Sequence, residues 1–260
     1  MDRFVSEANC SSAGSGPAVS FRDVSFARAG RAVLDCVNLE VMPGETLVLL
    51  GRSGSGKTTA LKMVNGLLFP DSGAVIVDGK PTTEWDPIQL RRRIGYVIQE
   101  TGLFPHFTVS RNVGLGPALA KWLPDRIEKR TREMLQSVGL DADHVGQRYP
   151  AQLSGGQRQR VGVARALASD PSLLLFDEPF GALDPITRHE LQDEFLRLRR
   201  VFGKTSLFVT HDVREAMRLG TRIALLSGGR LDVVAAPAEF PRSASPEAQA
   251  FVACLREEGA

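Results

Sequence analysis

The sequence predicts an α/β fold built on a largely parallel sheet, and three observations carry that expectation. The apolar run Leu47-Val48-Leu49-Leu50 leads into Gly51-Arg52-Ser53-Gly54-Ser55-Gly56-Lys57-Thr58, which is followed by a helical pattern from Thr59 to Val64. Strand, glycine-rich loop and helix in that order is the context a phosphate-binding loop requires. Leu173-Leu174-Leu175-Phe176 is short and wholly apolar, the pattern of a strand covered by helices on both faces, and it ends in Asp177 and Glu178. Between Phe107 and Gln152 the apolar period lengthens from two to about 3.6, which predicts an inserted helical subdomain.

Taken in order, the first twenty residues hold one apolar pair, Phe4-Val5, and read as a disordered lead-in rich in Ser and Gly, not as a secretory signal. Short β segments follow at Val19-Ser20-Phe21, Val33-Leu34, Val37 to Val41 and Leu47 to Leu50, with Pro43-Gly44 turning the chain before the last. After the loop, Ala60, Leu61 and Val64 share a helical face, and Gly66 stands where a C-terminal cap belongs. Ala74 to Val77 is a strand, Asp78-Gly79 a tight turn, and Ile94 to Ile98 a strand ending at Gln99. Ile127, Met134, Leu135 and Val138 mark helical faces, and a further helix carries Val161, Ala164 and Leu167. Asp184 can cap a helix with Pro185 at its first position and Leu191, Phe195 and Leu198 along its inner stripe. Ser206 to Val209 is a strand stopping at Thr210-His211-Asp212, and closing strands at Ile223 to Leu226 and Leu231 to Val234 precede a helix around Ala248 to Leu255.

The composition sets bounds on function. The chain has 260 residues, 43% of them hydrophobic, and a formal net charge of +2, which fits one large α/β domain or a core with a small subdomain and argues against a nucleic-acid surface, which needs a broad basic field. The basic run Arg91-Arg92-Arg93 reads as a solvated face. No apolar run approaches the roughly 18 to 20 residues that span a bilayer, so the sequence predicts a soluble chain. Cys10, Cys36 and Cys254 are odd in number and far apart, which fits a reducing cytoplasm and offers no metal or disulfide pattern.

The chemistry of the loop follows from its residues. Gly51, Gly54 and Gly56 permit positive φ and close approach, so that N–H groups can face phosphate oxygens. Lys57 supplies a charge for the β and γ phosphates, the helix N-terminus favours anions, and the Thr58 hydroxyl can ligate Mg2+ with Asp177 opposite. Glu178, one residue on, points differently and can polarise a water in line with the γ phosphate. The four polar groups at predicted strand ends, namely the loop, Gln99, Asp177-Glu178 and His211, are expected to converge where parallel sheets bind ligands.

Leu153-Ser154-Gly155-Gly156-Gln157, with Gln99, Asp177-Glu178 and His211 in this order, resembles the ATP-binding cassette family over nearly the whole chain after residue 20. The resemblance implies a P-loop NTPase core of the RecA-like kind with an antiparallel β subdomain and a helical subdomain at about 103–165, the ATPase domain occupying 19–260 after a tail of 1–18. It implies a head-to-tail dimer that sandwiches two ATP molecules, each between one chain's phosphate loop, Gly51 to Thr59, and Ser154, Gly155, Gly156 and Gln157 of the other. Glu178 resembles the catalytic base, His211 the residue that contacts the γ phosphate, Gln99 the residue that reaches Mg2+ and the water, and Asp184 the aspartate that contacts the partner site. One departure concerns adenine: where the family places an aromatic in the first β segment, Val24-Ser25-Phe26-Ala27-Arg28 places Arg28. Either Arg28 stacks on the base or Phe26 turns inward, and strict strand alternation points both the same way.

Tyr96 to His106, Tyr149-Pro150 and Phe180 to Arg188 resemble the bacterial importers of quaternary amines and related osmoprotectants such as glycine betaine, choline and carnitine. That branch implies transmembrane permease partners, a solute-binding protein reached through the complex, and a position on the cytoplasmic face of the inner membrane. Leu103, Phe104, Pro105 and Phe107 would anchor the permease. About thirty residues follow Gly229, which is too few for a further regulatory domain of ordinary size. Importers of other small solutes, non-transport cassette proteins and P-loop kinases stand as alternatives; a kinase would leave the signature string and His211 without a role.

Overall fold

The computed structural model describes residues 16–99 and 102–257. Most of the expected lead-in, with Cys10, and the pair Glu100-Thr101 lie outside the described residues. Val19–Arg28 forms β1 and Arg31–Val41 forms β2, an antiparallel pair joined through Ala29 and Gly30, both at positive φ. The two short segments expected at 33–34 and 37–41 are therefore one strand. Cys36 sits between them at φ 52, and its N–H donates to Ser25 Oγ at 2.9 Å. The irregular register there breaks the period-two signal from which one strand would have been read.

Thr46–Leu50 is β3, with all five residues buried, and the helix α1, Lys57–Val64, follows its glycine-rich loop. Gly66 takes φ 64 just beyond the end of α1, where a side chain would be strained. Ser72–Val77 is β4, and Asp78 and Gly79 turn it at φ 49 and 76 into β5, Lys80–Pro81. These strands complete an antiparallel sheet in the order β2-β1-β4-β5. Asp86 caps the short helix α2, Pro87–Arg92, by accepting from the Gln89 N–H at 2.8 Å, and β6 is Ile94–Val97.

The lengthened apolar period resolves into α3, Val109–Leu119; α4, Pro124–Ser137; and α5, Ala142–Val145; and the further helix expected around Val161 to Leu167 is α6, Gly155–Ala168. Asn112, fully buried in α3, ties down the segment ahead of its helix: Oδ1 accepts from the Phe104 N–H at 2.8 Å and Nδ2 donates to Phe104 O at 3.1 Å. β7 is Leu173–Asp177, α7 is Pro185–Phe202, and β8 is Thr205–Thr210. Val213–Leu219 forms α8, a helix that sequence periodicity alone did not reveal because it spans only two turns. β9, Arg222–Ser227, and β10, Arg230–Ala235, precede α9, Pro246–Glu257. Among the described residues no helix is long and apolar enough to cross a membrane.

The second sheet runs β10-β9-β3-β8-β7-β6, parallel except for the antiparallel edge strand β10. Alternation along its central strands separates two cores. Leu47, Leu49, Leu173, Leu175, Leu207 and Val209 pack towards α1 and the antiparallel sheet. Val48, Leu50, Leu174, Phe176 and Phe208 pack towards residues of α3, α6, α7 and α8. Burying a Leu, Val or Phe side chain of this kind contributes about 1.5–3 kcal/mol. The wholly apolar strands are thus a consequence of a sheet covered on both faces.

Candidate functional site

Strand order decides what the site contains. β3, β8, β7 and β6 are consecutive neighbours and parallel, so the residues that follow their carboxyl ends share one edge of the sheet. These are the glycine-rich loop after β3, His211 after β8, Asp177 and Glu178 at the end of β7, and Gln99 after β6. This is the edge at which parallel sheets bind ligands.

Within the loop the glycines serve different ends. Gly54 and Gly56 adopt φ 78 and 102. Gly51 does not take a positive φ, contrary to expectation; it is glycine for space, because a Cβ there would come within 2.3 Å of Leu226 O. Lys57 is buried at the start of α1, and its ammonium donates to Gly51 O at 2.8 Å and Arg52 O at 2.9 Å. Burial pushes the Lys57 pKa down from its ordinary value, against the opposing pull of Glu178 and Asp177. Ser53 and Gly54 are exposed, Thr59 is half-buried, and the buried Ser55 hydroxyl has no hydrogen-bond partner among the described residues. A loop with a lysine, an orphaned hydroxyl and a helix N-terminus is chemically suited to phosphate oxygens.

Thr58 Oγ1 donates to Asp177 Oδ1 at 2.8 Å, joining the phosphate loop to β7. Tyr96 of β6 donates its phenol to the other carboxylate oxygen, Oδ2, at 3.2 Å. Burial first, and then Asp177, pushes the Tyr96 pKa upward, which keeps the phenol a donor. The sequence places Tyr96 in a strand and in the importer-like string but gives it no partner; one of two tyrosines in the chain, set in an otherwise apolar strand, was the available signal for the Asp177 contact. Among the described residues no cluster of three or more His, Cys, Asp or Glu forms a protein-only metal cage. A hydroxyl and a single carboxylate do fit Mg2+, which is commonly held by one or two carboxylates, substrate phosphates and water.

Glu178 sits at φ 45, an uncommon conformation for a residue with a Cβ, and its N–H donates to Val209 O at 3.0 Å. The kink sends its side chain away from that of Asp177 and towards His211, whose Nδ1 lies 2.8 Å from Glu178 Oε2. The residues on either side of His211 are tied together: the Thr210 hydroxyl donates to the buried Glu215 at 2.6 Å and accepts the Asp212 N–H at 3.0 Å. Gln99 is exposed, and its amide lies beside Gly181 on the loop that follows Glu178.

The remaining candidate residues form a second group. Ser154 caps α6, accepting the Gln157 N–H at 3.2 Å while Gln157 Oε1 accepts the Ser154 N–H at 3.0 Å. Gly155 lies near Leu183, and a Cβ on Gly156 would come within 2.6 Å of Thr187. Asp184 accepts the Thr187 N–H at 3.0 Å as cap of α7, and hydrogen bonds from Thr187 hold its pKa below the usual carboxylate range. Two helix N-termini, α6 and α7, thus lie side by side, with Ser154 and Asp184 exposed. Arg28 is exposed at the end of β1, whereas Phe26 is half-buried against the core; a register shift between Phe26 and Ala27 breaks the alternation that would have aligned them. Arg52 reaches out of the loop to the Glu247 carboxylate of α9 at 2.6 Å, a contact between residues too distant in sequence to be read from it.

Residues 34–181 match the ABC transporter family. The chain is 48% identical over 220 residues to the glycine betaine/carnitine/choline transport ATP-binding protein OpuCA of Bacillus subtilis (strain 168), covering 85% of this chain and 58% of that protein. It is 50% identical over 207 residues to the osmoprotectant import ATP-binding protein OsmV of Salmonella typhimurium, covering 80% of this chain and 54% of the relative. The chain therefore spans little more than half the length of these relatives. Among solved structures, the dimeric ATP-binding cassette MJ0796 bound to ADP and Pi superposes with a TM-score of 0.75 at 34% identity, covering 84% of this chain and 98% of that one. CbiO1 from Clostridium perfringens, part of the ABC transporter complex cbiONQ, gives a TM-score of 0.80 at 27% identity, covering 94% and 97%. The loop, the paired carboxylates and the capped α6 turn all fall inside the matched region, and the chain belongs to the ABC transporter family.

Proposed function

We propose that this chain is the ATP-hydrolysing subunit of a bacterial ABC importer and energises uptake of a quaternary amine or related osmoprotectant. The observation that carries the hydrolytic reading is the meeting of Glu178 with His211 on neighbouring strand ends, beside the Thr58–Asp177 link. Residues Gly51 to Thr59 enclose the phosphates, with Lys57 exchanging its carbonyl partners for β and γ oxygens. Arg28 contacts adenine. Thr58, Asp177 and Gln99 hold Mg2+, which when bound draws charge from the phosphate oxygens. Glu178 orients an in-line water and accepts its proton; His211, fixed by the Glu178 carboxylate on one nitrogen, aligns water and γ phosphate.

In this reading 19–260 works as one ATPase domain with its helical subdomain at about 103–165. Two copies assemble head to tail so that Ser154, Gly155, Gly156 and Gln157 of one chain close over the phosphate loop of the other, with Asp184 at the junction. The side-by-side N-termini of α6 and α7 supply the anion-favouring surface that such a closure needs. A transmembrane permease docks near Leu103, Phe104 and Phe107 and places the ATPase at the cytoplasmic face of the membrane, with a solute-binding protein joining through the complex. The osmoprotectant assignment rests on one relative named for glycine betaine, carnitine and choline transport and another named for osmoprotectant import. A sulfate/thiosulfate import ATP-binding protein, CysA of Caulobacter vibrioides, is 45% identical over 223 residues, which keeps another small solute as the second reading.

Two measurements test the proposal. Glu178→Gln should lower the rate of phosphate release to water by about 10²- to 10⁴-fold, the usual worth of a general base, while nucleotide still binds. Wild-type turnover in that variant removes Glu178 from the mechanism. Cells carrying Lys57→Ala should lose uptake of labelled glycine betaine, choline or carnitine; loss of sulfate uptake instead would decide for the second reading.

A further inference from the structure

We propose that Tyr96 is a positioning residue for the nucleotide-bound magnesium, acting through Asp177. The proposal rests on the reading that Thr58 and Asp177 hold the metal. Tyr96 pairs with Leu175 across the parallel β6–β7 ladder, so its phenol reaches two residues along β7 to the terminal carboxylate. Asp177 then has each oxygen occupied by a different hydroxyl: Thr58 donates to Oδ1 at 2.8 Å and Tyr96 to Oδ2 at 3.2 Å. A carboxylate at a strand end is otherwise free to swing about its side-chain torsions, and these two contacts, one from α1 and one from β6, fix its plane. The ring of Tyr96 packs against the core under α1, so the phenol oxygen is itself held on a rigid strand.

Mg2+ and Mn2+ both favour octahedral oxygen coordination, so a carboxylate that wanders costs affinity for either metal. With metal bound, the Thr58 hydroxyl would offer it a lone pair and could still donate its proton to Oδ1, so that Thr58 and Tyr96 together would hold the Asp177 carboxylate. Outer partners of metal ligands are commonly worth about 10- to 100-fold in metal affinity. Phenylalanine at position 96 keeps the ring and its packing and removes only the hydroxyl.

The test uses the whole chain with ADP and Mn2+ as the spectroscopic stand-in for Mg2+. Bound manganese is counted by electron paramagnetic resonance in wild type, Tyr96→Phe, Thr58→Ala and Asp177→Asn. Tyr96→Phe should weaken Mn2+ binding about 10-fold while metal-free ADP affinity stays within about twofold. In parallel, the Mg2+ concentration giving half-maximal ATPase activity should rise by the same factor, with kcat recovering at saturating metal. A Tyr96→Phe protein that melts earlier but binds Mn2+ as wild type does overturns the proposal and leaves Tyr96 a packing residue. If Thr58→Ala and Asp177→Asn also leave Mn2+ binding unchanged, the metal site itself has been misplaced; if they abolish it and Tyr96→Phe does not alter it, only the role of Tyr96 falls.

Discussion

Glu178 illustrates how much one residue's backbone matters. Its φ of 45 and the N–H bond to Val209 turn the chain by one residue after Asp177, so adjacent carboxylates serve different neighbours: Thr58 and Tyr96 for the first, His211 for the second. Strained conformations of non-glycine residues persist where surrounding structure over-determines them, and here β8 does so. Arg28 is the residue whose role is most exposed to refutation. It stands in solvent at the end of β1, while Phe26 is already committed to the core. Arg28→Ala is expected to weaken ATP binding several-fold, in keeping with about 0.5–2 kcal/mol for a guanidinium over a π face; an unchanged ATP dissociation constant, measured by titration calorimetry, excludes the contact. The types of residue needed for phosphate chemistry were legible in the sequence because their spacing is short-range. Tyr96, Arg52 and Glu247 were not, because their partners are brought together only by the sheet.

At the scale of elements, the buried polar braces behind the site respond to pH. Glu215 of α8 is buried, accepts from Thr210 at 2.6 Å and from Gln192 of α7 at 3.3 Å, and thereby ties two helices to the end of β8 just before His211. Burial pushes its pKa above the ordinary value of 4.5, with the Thr210 hydrogen bond opposing. A carboxyl with a raised folded-state pKa binds its proton more tightly folded than unfolded, so its contribution is complete below the unfolded pKa and is lost as pH rises through the folded one. Wild type should therefore lose stability relative to Glu215→Gln as pH rises from about 4.5, by no more than about 1.4 kcal/mol per pH unit for one proton. Urea unfolding midpoints at pH 5 and pH 7.5 give the comparison; parallel pH profiles would contradict it. Element identity was readable where a short apolar run ended in polar or glycine residues, as in β3 and β7, and where the helical period ran long, as in α7. It failed at β2, where the bulge at Cys36 interrupts alternation, and at α8, too short to show a period.

The whole molecule separates its candidate chemistry into two groups. One lies on the edge formed by β3, β8, β7 and β6; the other is the exposed pair of N-termini on α6 and α7. Convergence of the first group was foreseeable from four strands ending in polar residues, but the order that places β8 between β3 and β7 comes from long-range pairing that no local pattern encodes. The second group contacts Leu183 and Thr187 of its own chain, and in the proposed assembly it acts on nucleotide held by another copy. The central claim is that hydrolysis needs both groups, from two chains. Light scattering of Glu178→Gln with ATP tests it most directly. The account predicts a dimer with ATP that is absent with ADP and is abolished by adding Ser154→Arg at the α6 cap, while nucleotide still binds the monomer. A Glu178→Gln protein that stays monomeric in saturating ATP, or a Ser154→Arg protein that hydrolyses ATP at the wild-type rate, would contradict it.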